Sequence, residues 1–463
     1  MDNKTFAKAF KVLGIKPNEK ARNVIAECDS WYRGDEEKFH KRTNLNNVVI
    51  TLDTMNFAKR GCSDDANLCE IVEINTGNST DRVNEILKDN NFLTMFRKQL
   101  EETSATGTVG MYWYLKDAMY EGDRVVGGHP AINFIMSAEQ ICPITVDNER
   151  VTECAFCGTS LIDGEEVGCV VAFRKDGDRY YSDTVVIKGS QILDTVRMEL
   201  GDVCPFALLK TAQVNNIKDM DGYGLPKIHE AIPVLKCLDL AYNILFGDLD
   251  KGDKLLFINE LLGCIGTDSI TGLPMLTKEQ KKTFILLGEK LPEQNSLIYE
   301  YNPQIRVDEI TKVFETLLSL FSMMFGFGTK KYTFENGQIK TASEYIGEKQ
   351  DCMQEVNKQR GATTEYIEAV IRSLVWFFDA FASEQIGVDE INIDYDDSYI
   401  EDKSAKLERL RNDAISFEIP ELLIWYLMEA YNLDENEAKK MVIRNQEEKD
   451  ADNLDDANLN ENE

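Results

Sequence analysis

Several groups of residues in the sequence have the types and spacing for chemistry. Cys154-Ala155-Phe156-Cys157 is a CxxC pair, with Cys169 further on. A structural zinc site needs four ligands at suitable spacing, and no fourth ligand is obvious here. The run VTECAFCGTSLI could equally be a strand, and buried free thiols are favoured over a metal, cysteine being among the most buried residue types. Asp394, Asp396 and Asp397 could hold a metal, as a nuclease or hydrolase would need. Exposed aspartate is common, so solvated charges at a strand end are the blander reading. Gly247, Gly252 and Lys254 suggest a phosphate loop, but Asp253 stands where that motif needs Lys, and Lys254 where it needs Ser or Thr. Asp219 and Asp221 before Gly222 suggest a calcium loop. Its first and twelfth positions would be Ile217 and Ile228, neither a ligand. His40, His129 and His229 are far apart and have no partnered nucleophile motif. These residues support no catalysis and require no cofactor, so the chain is expected not to be an enzyme.

Lys330, Lys331 and Lys340 offer a different chemistry, contact with phosphates. In an isolated chain they read as a solvated loop. In a ring, each would become a circle of positive charge. The elements on either side must position them. Val307 to Phe325 carries Ile310, Val313, Phe314, Leu317, Leu320, Phe321 and Met324 at spacings of three and four, which predicts a helix with one apolar stripe. Asp308 and Glu309 suit its positive N-terminal end. Gly326-Phe327-Gly328 ends it, because glycine readily takes the positive φ of a helix stop. Glu335-Asn336-Gly337 is a turn signal. Thr341, with Glu344 three residues on, is a capping box for a second helix reaching about Phe381, although Ser343 could also open it. At 1.5 Å per residue, a helix of roughly 40 residues spans about 60 Å. A helix of that length crosses an assembly or braces a large surface.

The chain has 463 residues, too many for one ordinary core. It is 43% hydrophobic, which is globular rather than disordered composition. The net charge is −30, with a pI near 4.6. That excludes a conventional nucleic-acid reader, whose surface would be basic. It does not exclude a channel through which DNA slides without sticking. There is no run of 18 apolar residues, so no transmembrane helix is expected. MDNKTFAKAFKVLG lacks the apolar core of a signal peptide. Eleven scattered cysteines, an odd number, suggest a reducing cytoplasm.

Along the chain, residues 1 to about 45 read as helical and Asn47 to Leu52 as a short strand. Val83 to Glu102 reads as one amphipathic helix and Thr106 to Leu115 as a strand. Ala131 to Leu209 is mostly β, with hairpin turns at Asp163-Gly164 and Asp176-Gly177-Asp178. Pro205 to Lys210 is a last short strand, and Asn215 to Gly224 a polar loop. A helix starts near Pro226, striped by Ile228, Ile232, Leu235, Leu238, Tyr242 and Leu245, with a possible kink at Pro233. Residues 252–300 mix strands at Leu255 to Ile258 and Ser296 to Tyr299, a turn at Thr271-Gly272, and lysines 278, 281 and 282. Ile391 to Tyr395 is a strand. Asp402 to Ala414 and Ile419 to Tyr431 are helices, and another starts at Asp434. The end, EEKDADNLDDANLNENE, has no aromatic or β-branched residue and is expected to be disordered.

Three runs carry a resemblance: NPQIRVDE from Asn302 to Glu309, GQIKTASE from Gly337 to Glu344, and DYDDSYIEDK from Asp394 to Lys403. Their order and spacing are similar to the portal proteins of tailed bacteriophages, closest to the siphophage branch of Gram-positive hosts. The similarity covers most of the chain and is weaker before Gly110. It implies an α+β portal fold with a mixed α/β wing, a two-helix stem, a small α/β clip, a long tunnel helix and a helical crown. The implied divisions are wing 1–225, first stem helix 226–251, clip 252–302, second stem helix 303–325 and tunnel loop 326–341. The long helix and a wing strand occupy 342–399, the crown 400–445 and the acidic tail 446–463. The resemblance implies a DNA-facing tunnel loop, with Lys330, Lys331, Glu335, Asn336, Gln338 and Lys340 on it. It implies a clip whose Lys278, Lys281 and Lys282 face the terminase large subunit or the connector. It further implies a ring of twelve subunits at a capsid vertex of the virion, assembled in the host bacterial cytoplasm. The partners would be the major capsid protein and scaffold, a head-tail adaptor, and double-stranded DNA passing without sequence specificity. No membrane is involved.

Overall fold

The computed structural model describes residues 3–43, 47–121, 124–162, 165–189, 191–250, 252, 255–259, 284–287, 298–302, 304–332, 342–396, 403–417, 419–431, 433–434 and 436–444. The chain divides into two compact units, Met1–Ile393 and Asp394–Glu463. It is a mixed α+β protein with several antiparallel sheets.

The first unit opens with α1 (Asn3–Val12), α2 (Glu19–Arg33) and α3 (Glu37–His40). A small ribbon follows, β1 (Lys41–Thr43) antiparallel to β2 (Val49–Thr51). The expected helical stretch therefore ends at His40, and Lys41–Thr43 is strand. Next come α4 (Phe57–Ala66), β3 (Ile71–Asn75), α5 (Thr80–Asp89) and α6 (Phe92–Thr106). The single helix expected over Val83 to Glu102 is thus two helices. Asn91 takes the left-handed conformation, φ 53°, and Asn90 stops α5, its amide N–H donating to the Ile86 carbonyl. Asn tolerates that conformation through its short polar side chain.

Two sheets form the body. β4 (Thr108–Glu121), β5 (Arg124–Ile135) and β11 (Phe206–Lys210) make one, in the order β11-β4-β5. β6 (Ile141–Asp147), β7 (Arg150–Ile162), β8 (Glu165–Asp176), β9 (Arg179–Lys188) and β10 (Gln191–Glu199) make a five-stranded antiparallel meander. Gly177, φ 60°, makes the β8–β9 turn as its DG signal predicts. Asp163-Gly164 lies outside the described residues, but Ile162 pairs with Glu165 on either side of it.

Side chains alternate across these strands, so each sheet faces two layers. On one face of the meander, Phe156 and Phe173 meet Tyr112 of β4 and Phe206 of β11, with Ile25 of α2. On the other, Cys157, Val170 and Val185 meet Phe6 and Phe10 of α1. On the far side of β4, Trp113 stacks on Phe377 of the long helix described below. The polar loop 215–224 is less open than its composition suggests, since Met220 and Tyr223 are buried in the inter-sheet core. Gly107, φ +85°, admits the chain there. A side chain at that position would meet the Gly224 carbonyl oxygen at 2.3 Å.

From this body project α7 (Lys227–Asp250) and α8 (Val307–Met324), packed on one another. Between them, β12 (Leu255–Asn259) pairs parallel with β13 (Phe284–Leu287) and antiparallel with β14 (Ile298–Tyr301). β13 has no counterpart among the expected strands. Its four apolar residues, FILL, give no period that separates strand from helix. Thr271-Gly272 and lysines 278, 281 and 282 lie outside the described residues. α9 (Ala342–Ala382) is the long helix, 41 residues. It ends beside α5, where Arg82 grips Glu384 with both Nε (2.6 Å) and a terminal nitrogen (2.9 Å). β15 (Asn392–Tyr395) follows, as expected.

The second unit contains α10 (Lys403–Phe417), α11 (Pro420–Tyr431) and a helix over residues 436–444. Asp434 caps the last, accepting from the Glu437 amide at 2.7 Å. Among the described residues no helix is long and apolar enough to cross a membrane. The acidic tail 446–463 lies outside them.

Candidate functional site

The junction between α8 and α9 begins where the glycine signal puts it. Gly326 has φ 80° and Gly328 has φ 76°. The amide of Phe327 reaches back to the Ser322 carbonyl at 3.0 Å, and that of Gly326 to Met323 at 3.0 Å. This is the double hydrogen bond of a left-handed helix stop. The turn folds Phe327 inward, where it is buried beside Phe325, ring centroids 5.9 Å apart. Tyr332 comes back onto the same cluster, edge-on to Phe57 and Phe327. Its hydroxyl donates to Asp64 Oδ2 at 2.7 Å, and Arg60 Nε holds that oxygen at 2.9 Å. Burial, then the Asp64 hydrogen bond, push the Tyr332 phenol above its usual range. The first half of the junction is therefore clamped to α4.

Lys330 and Lys331 sit between these two anchors. Lys330 is exposed, and Lys331 Nζ lies 5.7 Å from the Phe327 ring centre. Glu335, Asn336, Gln338 and Lys340 lie outside the described residues, as does Thr341. The long helix is fixed from below by polar contacts to the body. Gln359 accepts from the Ala212 amide at 2.8 Å and donates to the Lys210 carbonyl at 3.3 Å. Its amide group thus occupies backbone groups at the open edge of β11, a place that otherwise invites another strand. Burial would raise the Glu355 carboxyl. Hydrogen bonds from Gln213 and Lys358, with the Lys227 charge, hold it below the usual carboxylate range. Further along, Tyr366 donates to Gln99 Oε1 at 2.8 Å, and Gln99 donates to the Gly110 carbonyl at 2.6 Å, all buried.

Of the two projecting helices, α7 is tied to the body by buried polar pairs. Lys227 Nζ lies 2.8 Å from Asp65 Oδ1 at the start of α7. Burial would lower this lysine, but Asp65 holds it raised. His40 Nε2 lies 2.8 Å from Asp239 Oδ2, and the Met55 amide donates to the other oxygen at 2.8 Å. At the outer end, Arg306 clasps Asp248 with two bonds of 2.9 Å. Ile310, Phe314, Leu318 and Phe321 make the buried side of α8. The expected stripe included Val313 and Leu320, but these are 49% and 38% exposed. Apolar residues thus cover more of the helix than α7 can bury. On α7, burial likewise stops at Ala241, and Ile244, Phe246 and Leu249 are exposed.

The other chemistry-bearing groups do not come together. Cys154 packs in the inter-sheet core and Cys157 against α1, on opposite faces of β7, so the pair cannot share one ion. Burial raises both thiols, Cys157 to about 11. Gly247 lies within α7, so no phosphate loop forms there. Asp394 is exposed on β15, and Asp397 lies outside the described residues. Among the described residues no three His, Cys, Asp or Glu could hold a metal. The pairings Tyr332–Asp64, His40–Asp239 and Tyr366–Gln99 have no signal in the sequence, since each joins distant segments.

No protein-family model matches the chain, and no curated protein matches it. Solved structures of gene transfer agent particles are similar to it. The neck of an empty particle computed with C6 symmetry has a chain with 11% identity and a TM-score of 0.42, covering 85% of this chain and 90% of that one. The neck of a native particle computed with C12 symmetry gives 12% identity and 0.37, over 76% of this chain and 83% of that one. The virion of the native particle gives 12% and 0.37, over 85% and 93%.

Proposed function

We propose that this chain is a portal subunit. Copies form a ring at one capsid vertex of a tailed phage or phage-like particle, and DNA is packaged and ejected through its centre. The observation that carries this reading is the uncovered apolar side of the paired helices α7 and α8. Ile244, Phe246, Leu249, Val313 and Met323 are each about half exposed. A soluble chain rarely leaves such a face to water, and neighbouring copies are its natural cover. The resemblance of the runs at Asn302, Gly337 and Asp394 supports the same reading.

In this reading α7 and α8 are the stem, the small sheet between them is the clip, and the junction from Gly326 to Thr341 is the tunnel loop. The acidic surface keeps DNA from adhering, and local lysine contacts act on the phosphates. The chain itself is not an enzyme. The terminase large subunit docks on the clip, with Lys278, Lys281 and Lys282 facing it, and supplies ATP hydrolysis. The capsid protein with its scaffold and a head-tail adaptor are the other partners. Negative-stain imaging of the purified protein tests the reading: rings with a central hole support it, and compact particles with no hole contradict it.

A further inference from the structure

The end of α1 and the start of α2 enclose a groove of about 420 Å³. Phe10 and Ile15, both buried, make its floor. Lys11, Lys16, Glu19 and Arg22 stand at its sides. The walls are fixed at both helix ends. Gly14 turns the chain at φ +64°, and the Ile15 amide donates back to the Phe10 carbonyl at 2.8 Å. Arg174 of β8 donates to the Leu13 carbonyl. Asn18 caps α2, accepting from the Ala21 amide at 3.1 Å. An apolar groove held in this way takes a side chain at little ordering cost.

The charge here runs against that of the chain. The net charge is −30, yet residues 1–22 carry six Lys or Arg against two carboxylates, Asp2 and Glu19. Lys20 is taken up by Asp219, at 3.4 Å. Lys11, Lys16 and Arg22 form no ion pair among the described residues. Arg22 is half-buried, its guanidinium carbon 5.2 Å from the centre of the Phe10 ring. A guanidinium laid on a ring is weakly hydrated and keeps its donors for a carboxylate. The other carboxylate near it, Glu139, lines an adjoining cavity and is not ion-paired to it. We infer that the groove binds an acidic segment of a partner protein. One large apolar side chain of that segment sits on Phe10 and Ile15, and its flanking carboxylates meet Arg22, Lys11 and Lys16. Three cations against the single carboxylate of Glu19 set the partner's sign. The apolar floor favours a peptide over DNA, whose phosphates gain nothing from Phe10 and Ile15 and are repelled by the acidic remainder of the chain. The inference does not rest on the ring reading, and either can fail alone.

Fluorescence anisotropy with the full-length chain tests this, using labelled hexapeptides in which one Leu, Phe or Trp stands among Asp and Glu. At least one should bind saturably and weaken as salt is raised. Replacing its apolar residue by Gly should cost at least about tenfold in affinity. K11Q/K16Q/R22Q should bind it at least about tenfold more weakly, from three lost charge contacts, with the far-UV circular dichroism of the parent. The Gly peptide needs no protein variant, so the test stands even if the triple substitution unfolds the chain. No saturable binding up to about 1 mM overturns the inference. Equal affinity for the Gly peptide also overturns it, reducing the contact to charge attraction. Equal binding by a folded K11Q/K16Q/R22Q overturns it by placing the peptide elsewhere. A DNA duplex that binds the parent more tightly than every peptide, and loses that binding in K11Q/K16Q/R22Q, overturns it in favour of a nucleic-acid site.

Discussion

His40 Nε2 and Asp239 Oδ2 lie 2.8 Å apart although 199 residues separate them in the chain. Both side chains are buried, and the second oxygen of Asp239 accepts the Met55 amide. One carboxylate thus ties the middle of α7 to the segment that carries the exposed ribbon. Removing one partner leaves the other buried without its bond, which costs more than the bond itself contributes. His40→Ala should destabilise the protein by about 2–4 kcal/mol in denaturant unfolding. A loss within experimental error would show that the pair has no structural weight.

Glu102 predicts a pH effect. Burial, then the nearby Asp29 charge, raise its carboxyl to about 7 from an ordinary 4.5, against the pull of Arg33. Its buried Oε2 has no hydrogen-bond partner among the described residues. The folded state holds this proton more tightly than the unfolded one. Stability is therefore lost as pH rises from 4.5 towards 7, and the loss is complete above that. Glu102→Gln should raise the melting temperature at pH 8 and change it much less at pH 5. A variant that melts in parallel with the parent at both pH values would contradict this.

The lysines of the junction predict a separation of assembly from transport. K330A/K331A/K340A should form rings yet impair packaging or retention of DNA in a particle assay. Normal packaging would make these lysines merely solvated. Loss of rings would make the junction a subunit contact.

The acidic end predicts the opposite. The sequence after Gln446 is acidic with few apolar residues, and on that composition it is expected to add little to subunit contact. Truncation at Asn445 should leave assembly unchanged, as judged by native mass. Loss of the ring on truncation would show that this segment holds subunits together.

The helices and hairpins were legible because their signals are local. The spacing of Ile310, Phe314 and Phe321 marks α8, the glycines at 326 and 328 mark its end, and DG at 176–177 marks a turn. The break at Asn91 was hidden because the apolar spacing continues across it. The site was less legible. Nothing near Tyr332 announces that its hydroxyl meets Asp64, 268 residues away. Phe327 looks like part of an open loop, and only the folded chain turns it inward. The CxxC of Cys154 and Cys157 was legible as buried thiols in a strand, and the alternation of that strand sends the two to opposite faces.

The ring is the central claim, and native mass tests it most directly. Mass photometry of the full chain should show a closed species at a high multiple of 52.6 kDa, twelve being the number the portal resemblance implies in the virion. A lone 52.6 kDa species at the highest usable concentration would contradict the account.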